Sequence, residues 1–163
     1  MNTQPVSPDF TMTAGSVVLK SFHEIQPGDC AVLEKEISRE AIWEFAMLCG
    51  DFNPLHVDER FAGQTAFARP VAHGMLLGSY VSTLIGMQLP GPGALWTEQS
   101  FRWLLPVFSG DVVRVALRVV HKSPATRMLK VAMEAHNQHG QKVMEGAGLV
   151  MMARMEAQPG AAD

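Results

Sequence analysis

Hydrophobic spacing divides this chain into a helical first half and an alternating second half. Ile42, Phe45, Ala46 and Cys49 recur at helical spacing, with Cys49 read as a small core residue. Ser38 stands at an N-cap position, Ile37 and Ile42 at the two positions of a hydrophobic staple, and Gly50 can end the helix. Before this helix, Pro27-Gly28-Asp29 is a turn and Cys30 to Glu36 a short strand candidate. Residues 57–72 show no clean period and are expected to form an irregular cover. A second helix, from about His73 to Met87, is apolar on most faces, which predicts burial all round. Gly74, Gly78, Ser82 and Gly86 form a ridge of small residues along it at four-residue steps. Such a ridge lets a sheet or a ligand approach the helix backbone closely, and close helix–sheet packing is the simpler of the two.

After this helix the period changes to two. Val113, Val115, Leu117 and Val119 oppose Arg114, Ala116 and Arg118; Leu129, Val131, Met133 and Ala135 oppose Lys130, Glu134 and His136. Val143, Ala147, Leu149 and Met151 are expected to continue the buried face. Turns at Ser109-Gly110-Asp111, Ser123-Pro124 and His139-Gly140 separate the runs, and a strand over Leu95 to Leu105, ended by Pro106, precedes them. The pattern predicts an α+β domain in which a curved antiparallel meander wraps one central helix.

The length of 163 residues fits one domain with a real core. Residues 1–15 are expected to be a loose arm, residues 16–155 the folded domain, and residues 156–163 a loose tail. A hydrophobic fraction of 47% with 18% charged residues reads as globular, and a net charge of -3 gives no reason to expect nucleic-acid binding. Two cysteines, Cys30 and Cys49, make no disulfide framework. The first residues lack the pattern of a secretory signal, and the apolar run from Val71 to Met87 is too short and too interrupted to span a bilayer comfortably. A cytoplasmic protein with no membrane partner is the expectation.

The candidate chemistry lies between the two helices. Asp51 and His56 sit five residues apart in Gly50-Asp51-Phe52-Asn53-Pro54-Leu55-His56-Val57-Asp58, a segment that Pro54 is expected to keep from being helical. A carboxylate and an imidazole on a short stiff loop are a plausible proton-transfer pair. Arg69-Pro70-Val71-Ala72-His73-Gly74-Met75 then opens the apolar helix, whose first backbone donors can hold a developing negative charge. His56 and Asp58 form a His-x-Asp pair, but with no His-Glu-x-x-His and no cysteine cluster a metal site is not expected.

These residues resemble the MaoC-like hydratases, a hotdog-fold family that contains the (R)-specific enoyl-CoA hydratases. The resemblance rests on Phe45-Ala46, the run Gly50 to Asp58, Phe61-Ala62, and the run Phe67-Ala68-Arg69-Pro70-Val71-Ala72-His73-Gly74-Met75-Leu76. It extends from about Pro27 to Arg154, with residues 45–76 its specific part. Cys49, where serine is common, and the long arm before Phe22 are less typical.

The resemblance implies reversible addition of water to a trans-2-enoyl thioester of CoA, giving an (R)-3-hydroxyacyl product, without a cofactor. It implies that Asp51 and His56 share the acid–base work, with the choice of base open, while the Gly74 N–H holds the charge on the thioester oxygen. Asn53 is expected to orient Asp51 or its loop, and Ser82 to support the site by hydrogen bonding. His73 and Met75 stand at the substrate end of the helix; His73 reads more readily as structural than catalytic. Met75, Leu77 and Met87 are candidates to line an acyl pocket. A 3-hydroxyacyl-[acyl-carrier-protein] dehydratase, a thioesterase and a non-catalytic acyl-CoA-binding or scaffold subunit are the alternatives. The family also implies a homodimer or a dimer of dimers.

Overall fold

The computed structural model describes residue 17 and residues 20–153; the expected arm and tail lie outside the described residues. Strand β1 (Cys30–Glu36) leads into helix α1 (Arg39–Cys49). Ser38 Oγ caps α1 by accepting from the Ala41 N–H at 3.0 Å. Ile37 and Ile42, the staple positions, are both buried. Gly50 ends the helix at φ 78°, the left-handed conformation that costs glycine nothing, and its N–H donates to Ala46 O at 2.8 Å. Only Ile42 and Ala46 of α1 are buried, and Cys49 is exposed rather than a core residue. The last turn of α1 extends past the surface that covers Ile42, leaving Met47 and Leu48 in solvent with it.

Two one-turn helices follow, α2 (Pro54–Val57) and α3 (Glu59–Ala62), so the segment expected to be irregular contains ordered turns. Asp58 accounts for α3: its Oδ1 accepts from the N–H groups of Arg60 and Phe61 at 2.8 and 3.0 Å. Helix α4 (Gly74–Met87) then runs under the sheet formed by β2 (Ala94–Trp103), β3 (Val112–Ser123), β4 (Met128–Asn137) and β5 (Lys142–Met152) with β1. All neighbours are antiparallel, in the order β1-β3-β4-β5-β2, so β1 and β2 are the edges.

The core is the seam between α4 and the concave face of this sheet. Leu77, Val81, Leu84 and Ile85 of α4 meet Val113, Val115, Leu117 and Val119 of β3 and Leu129, Val131, Met133 and Ala135 of β4 in one cluster. Burying such side chains contributes roughly 1.5–3 kcal/mol each. Burial of α4 is not all round: Met75 and Ser82 are exposed. A single sheet covers only the helix face turned toward it.

Strand β5 departs from the expected phase. Met144, Gly148, Val150 and Met152 are buried, whereas Ala147, Leu149 and Met151 are only half-buried. Val143 is buried as well, so the phase slips by one residue after it. Both faces of β5 carry apolar residues, which makes the periodicity ambiguous. Core packing is decisive: Met144, Val150 and Met152 join the cluster that contains Leu77, Val81, Leu84 and Ile85 of α4.

Candidate active site

The site grows out of the end of α1. After the left-handed turn at Gly50 the chain leaves the helix at Asp51, whose Oδ1 accepts from the Asn53 N–H at 3.2 Å. Asn53 Oδ1 in turn accepts from the Leu55 N–H at 3.1 Å, capping α2. Pro54 therefore starts a helical turn instead of preventing one. At the first helical position proline loses no hydrogen bond and its fixed φ suits the helix, while Asn53 keeps the extended backbone that proline demands of its predecessor. His56 thus stands on a helical turn two residues on, a firmer support than the expected loop.

Three bonds tie this turn to the entry of α4. The Val71 N–H donates to Leu55 O at 3.1 Å, and His56 Nδ1 lies 2.6 Å from Val71 O. His73 Nε2 lies 2.9 Å from the backbone carbonyl of Asp51. A carbonyl oxygen only accepts, so His56 carries its proton on Nδ1 and His73 carries one on Nε2. In the neutral imidazole this tautomer leaves the lone pair on His56 Nε2, and that atom lies 4.0 Å from Asp51 Oδ2. The imidazole rings of His56 and His73 lie against each other with centroids 3.9 Å apart, and Phe45 of α1 backs His73 at 5.2 Å.

Burial is graded across the cluster. The Asp51 side chain is 52% exposed, His56 15% and His73 3%, so Asp51 reaches the mouth and His73 the floor. Asp51, His56 and His73 offer donor atoms within 4.8 Å of one another, a spacing that a metal ion could use. With the tautomers above, His73 turns a proton rather than a lone pair toward Asp51, which suits proton chemistry better than ligation. Asp58 takes no part, being committed to capping α3.

Gly74 is the first residue of α4. Among the described residues its N–H donates to no protein acceptor, as expected for the orphan donors of a helix start. Its lateral side is filled: a Cβ there would lie 2.5 Å from Trp103 Nε1 and 2.6 Å from Trp103 Cε2. One helical turn on, a Cβ on Gly78 would lie 3.2 Å from Phe101 Cε2. The small-residue ridge thus serves helix–sheet packing at Gly74 and Gly78, against two aromatic side chains of β2.

The structure brings together Asp51, His56, Asn53, His73 and Gly74. It does not bring in Ser82, which is exposed and makes no side-chain hydrogen bond among the described residues. Met75 is exposed, with its sulfur and methyl over Gly78. Sequence reasoning missed Val71 as the acceptor that fixes His56, and Trp103 as the neighbour of Gly74. The first is a backbone role, invisible in residue type. The second had a partial signal, since Phe101 and Trp103 share one strand face, but their register against α4 is not encoded locally.

Two cavities flank the cluster. One, of about 510 Å³, is lined by His56 together with Trp43, Arg39, Glu44, Glu59 and Arg69. The other, of about 450 Å³, is bounded by Gly74, Trp103, Phe67, Leu77, Leu105 and Val107, and no charged side chain lines it.

A five-stranded antiparallel sheet curled over one helix, with a carboxylate and an imidazole beside the helix start, defines a hotdog protein. The chain belongs to the MaoC-like family, whose model, described as MaoC like domain, matches residues 25–141. It is 37% identical over 141 residues to an (R)-specific enoyl-CoA hydratase of Rhodospirillum rubrum, covering 86% of this chain and 97% of the relative. It is 34% identical over 135 residues to a 3-hydroxybutyryl-CoA dehydratase of Methylorubrum extorquens, covering 83% and 85%. Among solved structures, an (R)-hydratase from Aeromonas caviae superposes with a TM-score of 0.77 at 38% identity, covering 80% of this chain and 98% of that one.

Proposed function

We propose that this chain is an (R)-specific enoyl-CoA hydratase, a hydro-lyase that reversibly adds water to trans-2-enoyl-CoA to give (R)-3-hydroxyacyl-CoA. The observation that carries the reading is the pairing of Asp51 Oδ2 with His56 Nε2 at 4.0 Å, near the helix-start N–H of Gly74, which has no protein acceptor among the described residues. The names of the two relatives and of the Aeromonas caviae structure point the same way.

The chemistry follows from the atoms. Asp51 and His56 each accept one O–H of a single water, leaving an oxygen lone pair to attack C3. As that bond forms, one of the two groups takes the water's proton, and the C2–C3 π electrons move toward the thioester carbonyl. The oxygen charge that results is met by the Gly74 N–H; an oxyanion donor of this kind is worth roughly 10²–10³ in rate. The proton then passes to C2 and the carbonyl re-forms. Both groups start unprotonated at the atoms facing the water, so the proton delivered to C2 is the one removed from the water. Hydrogen and hydroxyl therefore add to the same face. Only protons and one water move, so the reaction requires no redox cofactor.

In this reading the functional unit is a homodimer or a dimer of dimers in the cytoplasm. Support for the oligomer comes from the edge position of β2, which carries exposed Leu95 and Trp103, and from the open face of α4 at Met75. No helix among the described residues is long and apolar enough to cross a membrane.

The test is loss of enoyl absorbance when purified protein meets crotonyl-CoA. The same assay on acyl-carrier-protein thioesters addresses the dehydratase alternative, and release of free thiol addresses a thioesterase. Binding of crotonyl-CoA with no turnover in any arm would overturn the hydratase reading in favour of a non-catalytic subunit.

A further inference from the structure

We infer that Trp103 determines which acyl chains the site accepts, by walling the apolar cavity at the point where it meets Gly74; the inference rests on the thioester reading above. The indole approaches Gly74 so closely that a single methyl group on that residue would overlap Nε1, Cε2 and Cδ1, at 2.5, 2.6 and 3.0 Å. An N–H at a helix start points out along the axis, whereas the Cβ direction points outward from the axis with a tilt toward the same end, so the two directions diverge but are neighbours. A thioester oxygen on the Gly74 N–H and an indole against its lateral side are therefore compatible. The carbon chain leaving that thioester must run past the indole.

The two cavities differ in what they can hold. The one beside His56 mixes apolar Ile42, Trp43, Val57 and Pro70 with five charged side chains, two arginines and three glutamates. The one beyond Gly74 offers Phe67, Leu77, Leu105 and Val107. Apolar surface with no charge to desolvate favours the chain. Trp103 is also held in place: its ring lies 5.8 Å from that of Phe101, which is itself seated on Gly78. The half-exposed indole narrows the cavity where it meets Gly74, so its bulk sets a size limit. The native protein is expected to prefer short enoyl chains.

The experiment compares kcat/KM for crotonyl-, trans-2-hexenoyl-, trans-2-octenoyl- and trans-2-decenoyl-CoA in the native protein, Trp103→Ala, Trp103→Phe and Leu105→Trp. Trp103→Ala should raise the octenoyl-to-crotonyl ratio by roughly ten- to hundredfold, the range that one methylene's fit in an apolar pocket commands. Trp103→Phe should fall between the two. Leu105→Trp, which adds bulk to another residue lining the same cavity, should narrow the profile toward crotonyl-CoA. Light scattering and melting temperature check that each variant keeps its assembly and fold. Native turnover of crotonyl-CoA with the same chain-length profile in Trp103→Phe and Leu105→Trp would overturn the inference while leaving the hydratase reading intact. No hydration of any thioester by the native protein would instead overturn the hydratase reading, and the inference would fall with it.

Discussion

His56 Nδ1 lies 2.6 Å from the backbone oxygen of Val71, a contact that leaves the imidazole one available tautomer. Val71 is itself held by its N–H bond to Leu55 O, so the ring is fixed from the same helical turn that carries it. The free lone pair on Nε2 then faces Asp51 Oδ2, and the two groups can share one water.

Shared work predicts non-additive losses. Asp51→Asn and His56→Gln should each lower kcat on crotonyl-CoA by about 10²–10⁴, the range for a positioned acid or base. The double mutant should be little worse than either single mutant, because the groups act as a unit. Asp51→Asn should hardly move the melting temperature, whereas His56→Gln gives up the Nδ1 bond to Val71 O and should cost about 0.5–1.5 kcal/mol in stability. Near-normal turnover in either single mutant with the fold intact would falsify the paired mechanism.

His73 is predicted to position rather than to react. Its Nε2 holds the Asp51 carbonyl at 2.9 Å, while its buried Nδ1 has no hydrogen-bond partner among the described residues. His73→Phe keeps the ring contacts with Phe45 and His56 but loses that bond, at a cost of about 0.5–1.5 kcal/mol in stability. Turnover should fall by up to about 10²-fold, the penalty of misplacing a catalytic group by an ångström. The shape of the pH–rate profile should not change, and its loss of a limb would show that His73 titrates in the reaction.

Gly74→Ala sets a methyl group against the Trp103 indole. Overpacking of this kind costs about 1–3 kcal/mol and should lower both melting temperature and kcat, because the helix start must shift. Adding Trp103→Ala should return part of the stability, giving a coupling energy on the order of 0.5–3 kcal/mol in a double-mutant cycle. Strictly additive melting free energies would contradict the contact.

Stereochemistry gives an independent check. Product formed from crotonyl-CoA should give no signal with an (S)-3-hydroxyacyl-CoA dehydrogenase. Hydration in D₂O should place the C2 deuteron on the same face as the new hydroxyl, since one water supplies both. Deuterium on the opposite face would mean that a third group delivers the proton.

Association is the last expectation. An edge strand with unpaired backbone groups and exposed Leu95 and Trp103 is a liability unless covered. Light scattering should report a dimer or tetramer at micromolar concentration, and a stable monomer there would contradict it.

The sequence alone determined what depends on neighbours along the chain. The cap at Ser38, the staple of Ile37 and Ile42, the stop at Gly50 and the alternation of β3 and β4 are local, because caps, turns and side-chain period act within a few residues. The motif containing Asp51, His56 and Gly74 was legible for the same reason: its residue types and spacing are fixed in one short stretch. Pro54 is ambiguous in the sequence because proline breaks helices from inside yet starts them at their first position, and Asn53 as cap decides which applies. The inward face of β5 is undecidable from the pattern where both faces are apolar, and packing in the α4 core chose the side bearing Val150 and Met152. Cys49 followed the helical period but outran the surface that buries Ile42. What the tertiary structure decided was long-range: the Val71 carbonyl that fixes His56, the bond from His73 to Asp51, and Trp103 seated on Gly74. Those contacts join residues 15, 22 and 29 positions apart, a range over which no periodicity or propensity acts, and packing of α4 against the sheet sets the last of them.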